Sequence, residues 1–489
     1  MPNDPSERTR AAREPHARPR APHGPRLADR IASSHVRPGP PRRGRDGATG
    51  ALKTPAGAGL AVVAAVAVLL ALSGLLGSAN RNPGSIAVAG GTLPPAASSP
   101  VDSPVGASPD AVPPSSTPDA PAPSATPLVT PAPTVDPLAG VPSTRLQTAI
   151  DAWRRKTGVP GLSVAIVWDD GRAWAGSSGL ANVRAKEPMT TGRAFAFASV
   201  SKTFTAAVVM QLVDEGTIRL DQPAVELLPD YPLDRRITVR MLLDHRSSLP
   251  DYFSNARIDK ALQKDKEAAW TAARTWKYVP KWRPRPGSVY DYSNTNYLLL
   301  GELVEQVTGN PLSTEIRNRL LDPLELTTAW YQDAESPRAK GTTGYRLTRT
   351  AGGSRVTPIA GKSSIMPFRS VVTAAGGAGS IAGTAMDAAR WMQAFGSGSI
   401  LGPRMHREMV ADAKYSKAMR ALVTYGLGVQ VITIEHQKTL GHSGRYLGFQ
   451  NTVRYLPGPG ISIAILTNQN TYDPGALMKT LIRAVAPAK

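Results

Sequence analysis

The sequence predicts an α+β domain over residues 143–489: an antiparallel sheet flanked by helices, with an all-helical region inserted between the strands and a single transmembrane helix ahead of it. Three observations lead there. GLSVAIVWDDGRAWAGSSG, Gly161 to Gly179, reads as two strands joined by an Asp-Gly turn. NTVRYLPGPGISIAILTN, Asn451 to Asn468, gives a second hairpin near the other end of the chain, with an apolar second strand. Between them the patterns are mainly those of helices and loops, so the economical arrangement is one sheet built from both ends of the chain.

Residues 1–53 carry twelve Lys or Arg against five Asp or Glu and few large apolar side chains; such a segment cannot bury a core and is expected to be a disordered basic tail. Residues 54–80 contain GAGLAVVAAVAVLLALSGLLG, inside an interval free of charge between Lys53 and Arg81. About 22 apolar residues at 1.5 Å each extend roughly 33 Å, enough for a hydrocarbon layer of about 30 Å. A cleaved signal peptide is the alternative, since Gly77 and Ala79 are small, but the preceding basic segment is long for a signal peptide. Arg and Lys crowd the N-terminal flank, which places the tail in the cytoplasm and the remainder outside. Residues 81–142 are rich in Pro, Ala, Ser and Thr and read as a linker. The chain has no Cys, which excludes disulfides, thiolate catalysis and thiolate metal sites.

In the folded part, Ser143 is expected to cap a helix that buries Leu146, Ile150 and Trp153 and stops at Gly158. Helical patterns recur at Tyr297 to Val307, Met386 to Phe395 and Asp473 to Ala486. FASVSKTFTAA, Phe197 to Ala207, turns a short apolar run into a helix that buries Phe204, Val208 and Leu212 and meets a stop at Gly216. Residues three apart share a helix face, so the amine of Lys202 lies beside the hydroxyl of Ser199 and can accept its proton. The same spacing also fits an N-cap serine followed by a surface lysine.

Two further motifs decide between these. Ser199 and Lys202 form the chain's one Ser-x-x-Lys, Tyr292-Ser293-Asn294 its one Tyr-x-Asn, and His442-Ser443-Gly444 its one His-x-Gly. Tyr292 precedes an apolar helix and His442 precedes the terminal hairpin. In this order and setting the chain resembles the class C β-lactamases, D-alanyl-D-alanine carboxypeptidases and related esterases, over about residues 143–489, including LLDHRSSLP at Leu242 to Pro250 and AAGGAGSIAGTAMDAARWM at Ala374 to Met392. The resemblance implies the β-lactamase/penicillin-binding-protein fold, with Ser199 as the acylated nucleophile, Lys202 as its proton partner, Tyr292 as a second base or acid, and Asn294 as a donor to the substrate amide. His442 stands where many β-lactamases have lysine, and Ser443 faces the cleft.

On chemical grounds an ammonium at Lys202 would favour the Tyr292 phenolate, Gly444 would let substrate lie along the strand edge, and the N–H groups of Ser199 and Arg445 would be the oxyanion donors. Arg445 shares a strand face with Ser443 and could hold a substrate carboxylate. Two residues depart from the family pattern: Ser248, where Gly is frequent, and the bulky Arg445.

The remaining histidines lack metal-ligand spacing and no Gly-Lys phosphate loop is present, so no cofactor is expected. The formal net charge is +20, of which about +16 remains on the folded part once the tail, Arg81 and the four linker aspartates are set aside. That field suits an anionic wall polymer, peptidoglycan included, or a carboxylate substrate; the outward topology argues against nucleic acid. The expectation is a membrane-anchored, outward-facing hydrolase acting on a peptide, an ester or a β-lactam through an acyl-enzyme, first among them a D-alanyl-D-alanine carboxypeptidase. An esterase, a β-lactamase and a non-catalytic wall-binding or sensor protein are the alternatives.

Overall fold

The computed structural model describes residues 140–350, 353–411 and 423–486. The expected tail, the membrane span and nearly all of the linker lie outside them; among the described residues no helix is long and apolar enough to cross a membrane.

Eight antiparallel strands form the main sheet: β1 (Gly161–Trp168), β2 (Ala173–Asn182), β3 (Glu187–Pro188), β4 (Val423–Tyr425), β5 (Gln430–Ile434), β6 (Gln437–Tyr446), β7 (Phe449–Leu456) and β8 (Ile461–Thr467), in the spatial order β3-β2-β1-β8-β7-β6-β5-β4. The two ends of the chain meet in its centre, where β1 pairs with β8 and Val164 stands opposite Ile465. Both strands are buried along their whole length, which explains their nearly continuous apolar sequence. On one face Leu162, Val164, Ile463 and Ile465 pack against helix α1 (Ser143–Thr157) and helix α5 (Gly475–Val485), through Leu146, Ile150, Leu477 and Leu481. On the other, Ala165, Val167, Ala464 and Leu466 meet the larger core formed by helix α2 (Ser201–Asp214), helix α3 (Asn294–Thr308) and helix α4 (Ala385–Ser397). Each face of the sheet thus has its own apolar layer.

The structure differs from the sequence-based expectation in two places and adds a turn that no sequence signal marks. Ser143 is the first residue of α1 rather than its cap, a place taken by Pro142. The inserted region is not all-helical: it holds a hairpin, with Gly344 opposite Ile359, and a small sheet of Phe195–Ala196, Ile381–Gly383 and Trp330–Tyr331. The alternating pattern of YRLTRT and SRVTPI marks that hairpin, set between stretches of helical periodicity. Finally, β5 and β6 join through Glu435 and His436 at φ 49° and 62°, a tight hairpin turn built without the glycine or asparagine that usually signals one.

Candidate active site

A single 3₁₀ turn, Ala198–Val200, leads into α2 and carries Ser199 at its centre. Ala198 sits at φ 52°, a left-handed conformation that a residue with a Cβ adopts at a cost of about 1–2 kcal/mol. The turn is pressed against β6: a Cβ on Gly444 would lie 2.1 Å from the carbonyl oxygen of Phe197. Gly444 therefore lets the strand reach the turn bearing Ser199, a packing demand separate from the expected one of admitting substrate along the strand.

Lys202, one turn on, is fully buried. Its Nζ donates to Ser199 Oγ at 3.1 Å, Asn294 Oδ1 at 2.7 Å and the Ala378 carbonyl at 2.9 Å. Burial brings its pKa down to about 7, with the charge of Asp251 acting in the opposite direction. Ala378 belongs to the Gly-rich stretch after Ala374, where a Cβ on Gly377 would approach the Tyr297 carbonyl to 2.6 Å; the glycine lets that segment close on α3 and aim its carbonyl at the amine.

The Tyr292 ring centroid lies 5.2 Å from Lys202 Nζ, and the Ser199 hydroxyl is near enough to act on the phenol's pKa. The expected phenolate is not favoured. Burial pushes the phenol above its ordinary range, the Ser199 hydroxyl offsetting part of that, so Tyr292 stays protonated while Lys202 is the group near neutrality.

Asn294 opens α3 and bridges two charges. Its Oδ1 accepts from Lys202 and its Nδ2 donates to Asp251 Oδ2 at 2.7 Å, so the amide expected to serve substrate is engaged within the protein. Asp251 also accepts from the Phe253 N–H at 2.9 Å; burial raises its pKa against these donors and Lys202. Sequence reasoning missed it, although it directly follows LLDHRSSLP. Within that stretch Ser248 adopts φ 62°, the left-handed region that explains a preference for glycine there, and its Oγ accepts from Arg285 N at 2.9 Å.

His442 is buried and neutral: burial, then the charge of Lys202, drives its pKa well below the ordinary value. Nδ1 faces the Ser443 carbonyl at 2.7 Å and must carry the proton, leaving Nε2 to accept from the Tyr425 hydroxyl at 2.9 Å. Its ring centroid is 6.3 Å from that of Tyr292. His442 thus borders the Ser199 cluster, and its own hydrogen bonds run to Ser443 and Tyr425.

Ser443 and Arg445 point to the opposite face from His442 and Gly444, as strand alternation requires, and both are exposed. β5 pairs with β6 as far as Gly441, and among the described residues no strand pairs with His442 to Tyr446 on that side. The Ser443 N–H points to this edge, where it donates to Gln430 Oε1 at 3.1 Å, and the Arg445 N–H, two residues on, shares the direction. Arg445 Nη2 donates to the Asn470 carbonyl at 2.8 Å. Behind the edge lies Arg454, fully buried, donating to Gln430 Oε1 at 2.6 Å and Ser443 Oγ at 2.9 Å, with Nε unpaired. Burial lowers its pKa to about 10. Ser199, Lys202 and Asn294 therefore form one bonded cluster, with Tyr292, His442 and Gly444 packed beside it, while the side chains of Ser443, expected to face the cleft, and Arg445 lie on the opposite, exposed face of the adjoining strand.

Comparison with known proteins agrees with this architecture. The family model described as Beta-lactamase matches residues 146–486. Penicillin-binding protein 4 of Amycolatopsis lactamdurans is 28% identical over 337 residues, 66% of this chain and 84% of that protein. A D-aminopeptidase of Cereibacter sphaeroides is 24% identical over 70% of this chain; the match spans 63% of that longer relative. Among solved structures, a D-stereospecific amidohydrolase from Streptomyces sp. superposes with a TM-score of 0.60 at 25% identity, covering 71% of this chain and 99% of that one. The D-amino acid amidase of Ochrobactrum anthropi shares the fold, with a TM-score of 0.61 at 24% identity and the same coverages. The family match over most of the chain, on the fold described above, shows that it belongs to the beta-lactamase and penicillin-binding-protein family of serine hydrolases.

Proposed function

We propose that the protein is a membrane-anchored, outward-facing D-alanyl-D-alanine carboxypeptidase or close penicillin-binding relative, acting through an acyl-enzyme on Ser199. The observation that carries this is the buried Lys202 amine, bonded to Ser199 Oγ with its pKa near 7. As a neutral amine it takes the hydroxyl proton while Oγ attacks the substrate carbonyl carbon. As the C–N bond breaks, the Tyr292 phenol protonates the leaving nitrogen and is reprotonated from Lys202. Water then cleaves the ester. The backbone N–H groups of Ser199 and Arg445 are the oxyanion donors in this scheme, and His442, through Ser443 and Tyr425, holds the wall beside them.

The relatives also support a second reading, a D-aminopeptidase or D-amino acid amidase. These substrates differ in charge: a carboxypeptidase binds a terminal carboxylate, an aminopeptidase a free amine. Arg445 lies one residue past His442-Ser443-Gly444, and the Arg454 guanidinium, which has no carboxylate in contact among the described residues, bonds Ser443. Two cations at this edge favour the carboxylate and repel an ammonium. The test compares hydrolysis of a peptide ending in D-Ala-D-Ala, a D-amino acid amide and a neutral ester, by the wild type and by Arg445→Ala. Preference for the peptide, lost selectively in Arg445→Ala, supports the carboxypeptidase. Faster amide hydrolysis indifferent to Arg445 would favour the amidase, and equal effects on peptide and ester would favour an esterase.

A further inference from the structure

A second concentration of charge lies apart from Ser199. Residues 255–287 carry nine Lys or Arg against three Asp or Glu, in a segment that starts four residues after Asp251 and ends five before Tyr292. Helices Ala256–Lys264 and Ala272–Trp276 belong to it. Asn255 joins them: its Oδ1 caps the first helix at Arg257 N, 3.1 Å away, and its Nδ2 donates to the Tyr278 carbonyl at 2.9 Å, just past the second. At this junction is an open concavity of about 450 Å³, lined by Arg257, Arg274, Lys277 and Tyr278.

Three features make this more than a solvated basic surface. The Arg274 guanidinium lies over the Trp270 ring, 4.0 Å from its centroid, and donates to the Ala269 carbonyl at 3.3 Å, so it is oriented before any ligand arrives. Trp270 is itself buried with Tyr252, Ile258, Leu262 and Leu298, giving the cation a packed base. Among the described residues no carboxylate lines the concavity and none of its three cations makes an ion pair. Their mutual repulsion is relieved by an anion.

Two guanidinium forks and an ammonium in one open concavity match the several oxygens of a phosphate. Because the concavity is open, a ligand can extend beyond it. Exposed Lys281, Arg283 and Arg285 continue the charge, and Arg285 N donates to Ser248 Oγ, in the loop leading to Asp251. We propose that Arg257, Arg274 and Lys277 bind a phosphate of an anionic poly(phosphodiester) chain, which then follows the basic segment towards the cleft.

The test measures binding of fluorescent poly(glycerol phosphate) to the full-length protein and to an Arg257→Gln/Lys277→Gln variant, which leaves Arg274 on Trp270. The basic N-terminal residues are common to both chains and cancel. The expected result is about 10-fold or more weaker binding by the variant, with a shallower salt dependence, while acylation by a small penicillin is unchanged. Equal affinity of the two chains would overturn the proposal. So would an equal loss on poly-glutamate, which would make the site a general charge patch, or a loss on phosphatidylglycerol vesicles without one on the polymer, which would assign the surface to a membrane.

Discussion

Lys202 and Asp251 are joined through the side-chain amide of Asn294 and not by a direct ion pair: Asn294 accepts from Lys202 at 2.7 Å and donates to Asp251 at 2.7 Å. A carboxylate in contact would keep the lysine protonated and unable to accept the Ser199 proton. With an amide between them, burial dominates and the amine is brought to about 7.

Acylation should therefore rise with pH through about 7 and then level off, and Lys202→Ala should lose this limb together with about 10²-fold or more of the rate. Stability has its own pH window. The folded pKa lies below that of an unfolded lysine, so unfolding takes up a proton between about 7 and about 10.4, and stability rises with pH across that range. Denaturation midpoints of wild type and Lys202→Met between pH 7 and 10 check this; the variant should lack that contribution to the slope.

Asp251→Asn should move the acylation limb to lower pH, because the carboxylate charge holds the lysine value up. The rate at high pH should fall less than in Lys202→Ala, since the amine remains. A pH–rate profile with a β-lactam probe distinguishes this shift from simple damage, which would lower the curve without moving it.

Gly444→Ala should reduce acylation by about 10-fold or more and destabilise the domain by about 1–3 kcal/mol, because a Cβ would meet the Phe197 carbonyl at 2.1 Å and force β6 off the turn bearing Ser199. Stopped-flow acylation and thermal melts read the two effects separately.

Protease treatment of intact cells should release the folded domain while residues 1–53 stay protected, the outcome expected if the apolar stretch after Lys53 remains as an anchor with the basic side inward. A soluble mature chain beginning near Asn80, or a protected domain, would contradict that topology.

The parts of the fold legible in the sequence were those with strong periodicity. The β1–β2 and β7–β8 hairpins, α1 and α5 each bury a regular apolar pattern against the central strands. The 344–359 hairpin and the β5–β6 turn were harder to see, the first because flanking helices outweighed it and the second because Glu435 and His436 carry no turn signature. Local spacing brought Ser199 and Lys202 together on paper as in the structure, because three residues on a helix fix the geometry. The bridge from Asn294 to Asp251 and the Arg454 bonds to Gln430 and Ser443 depend on contacts between distant segments and on burial, neither of which a local pattern contains. The same limit explains Tyr292: its phenol stays protonated because desolvation raises its pKa, a property that spacing cannot express.

In the proposed mechanism Ser199 is the acylated residue, and mass spectrometry after exposure to a fluorescent penicillin tests this most directly. One adduct per chain is expected on the peptide containing Ser199, and Ser199→Ala should fold with an unchanged melting temperature and take no label. Labelling that persists in the Ser199→Ala protein, or an adduct on another residue, would contradict the mechanism.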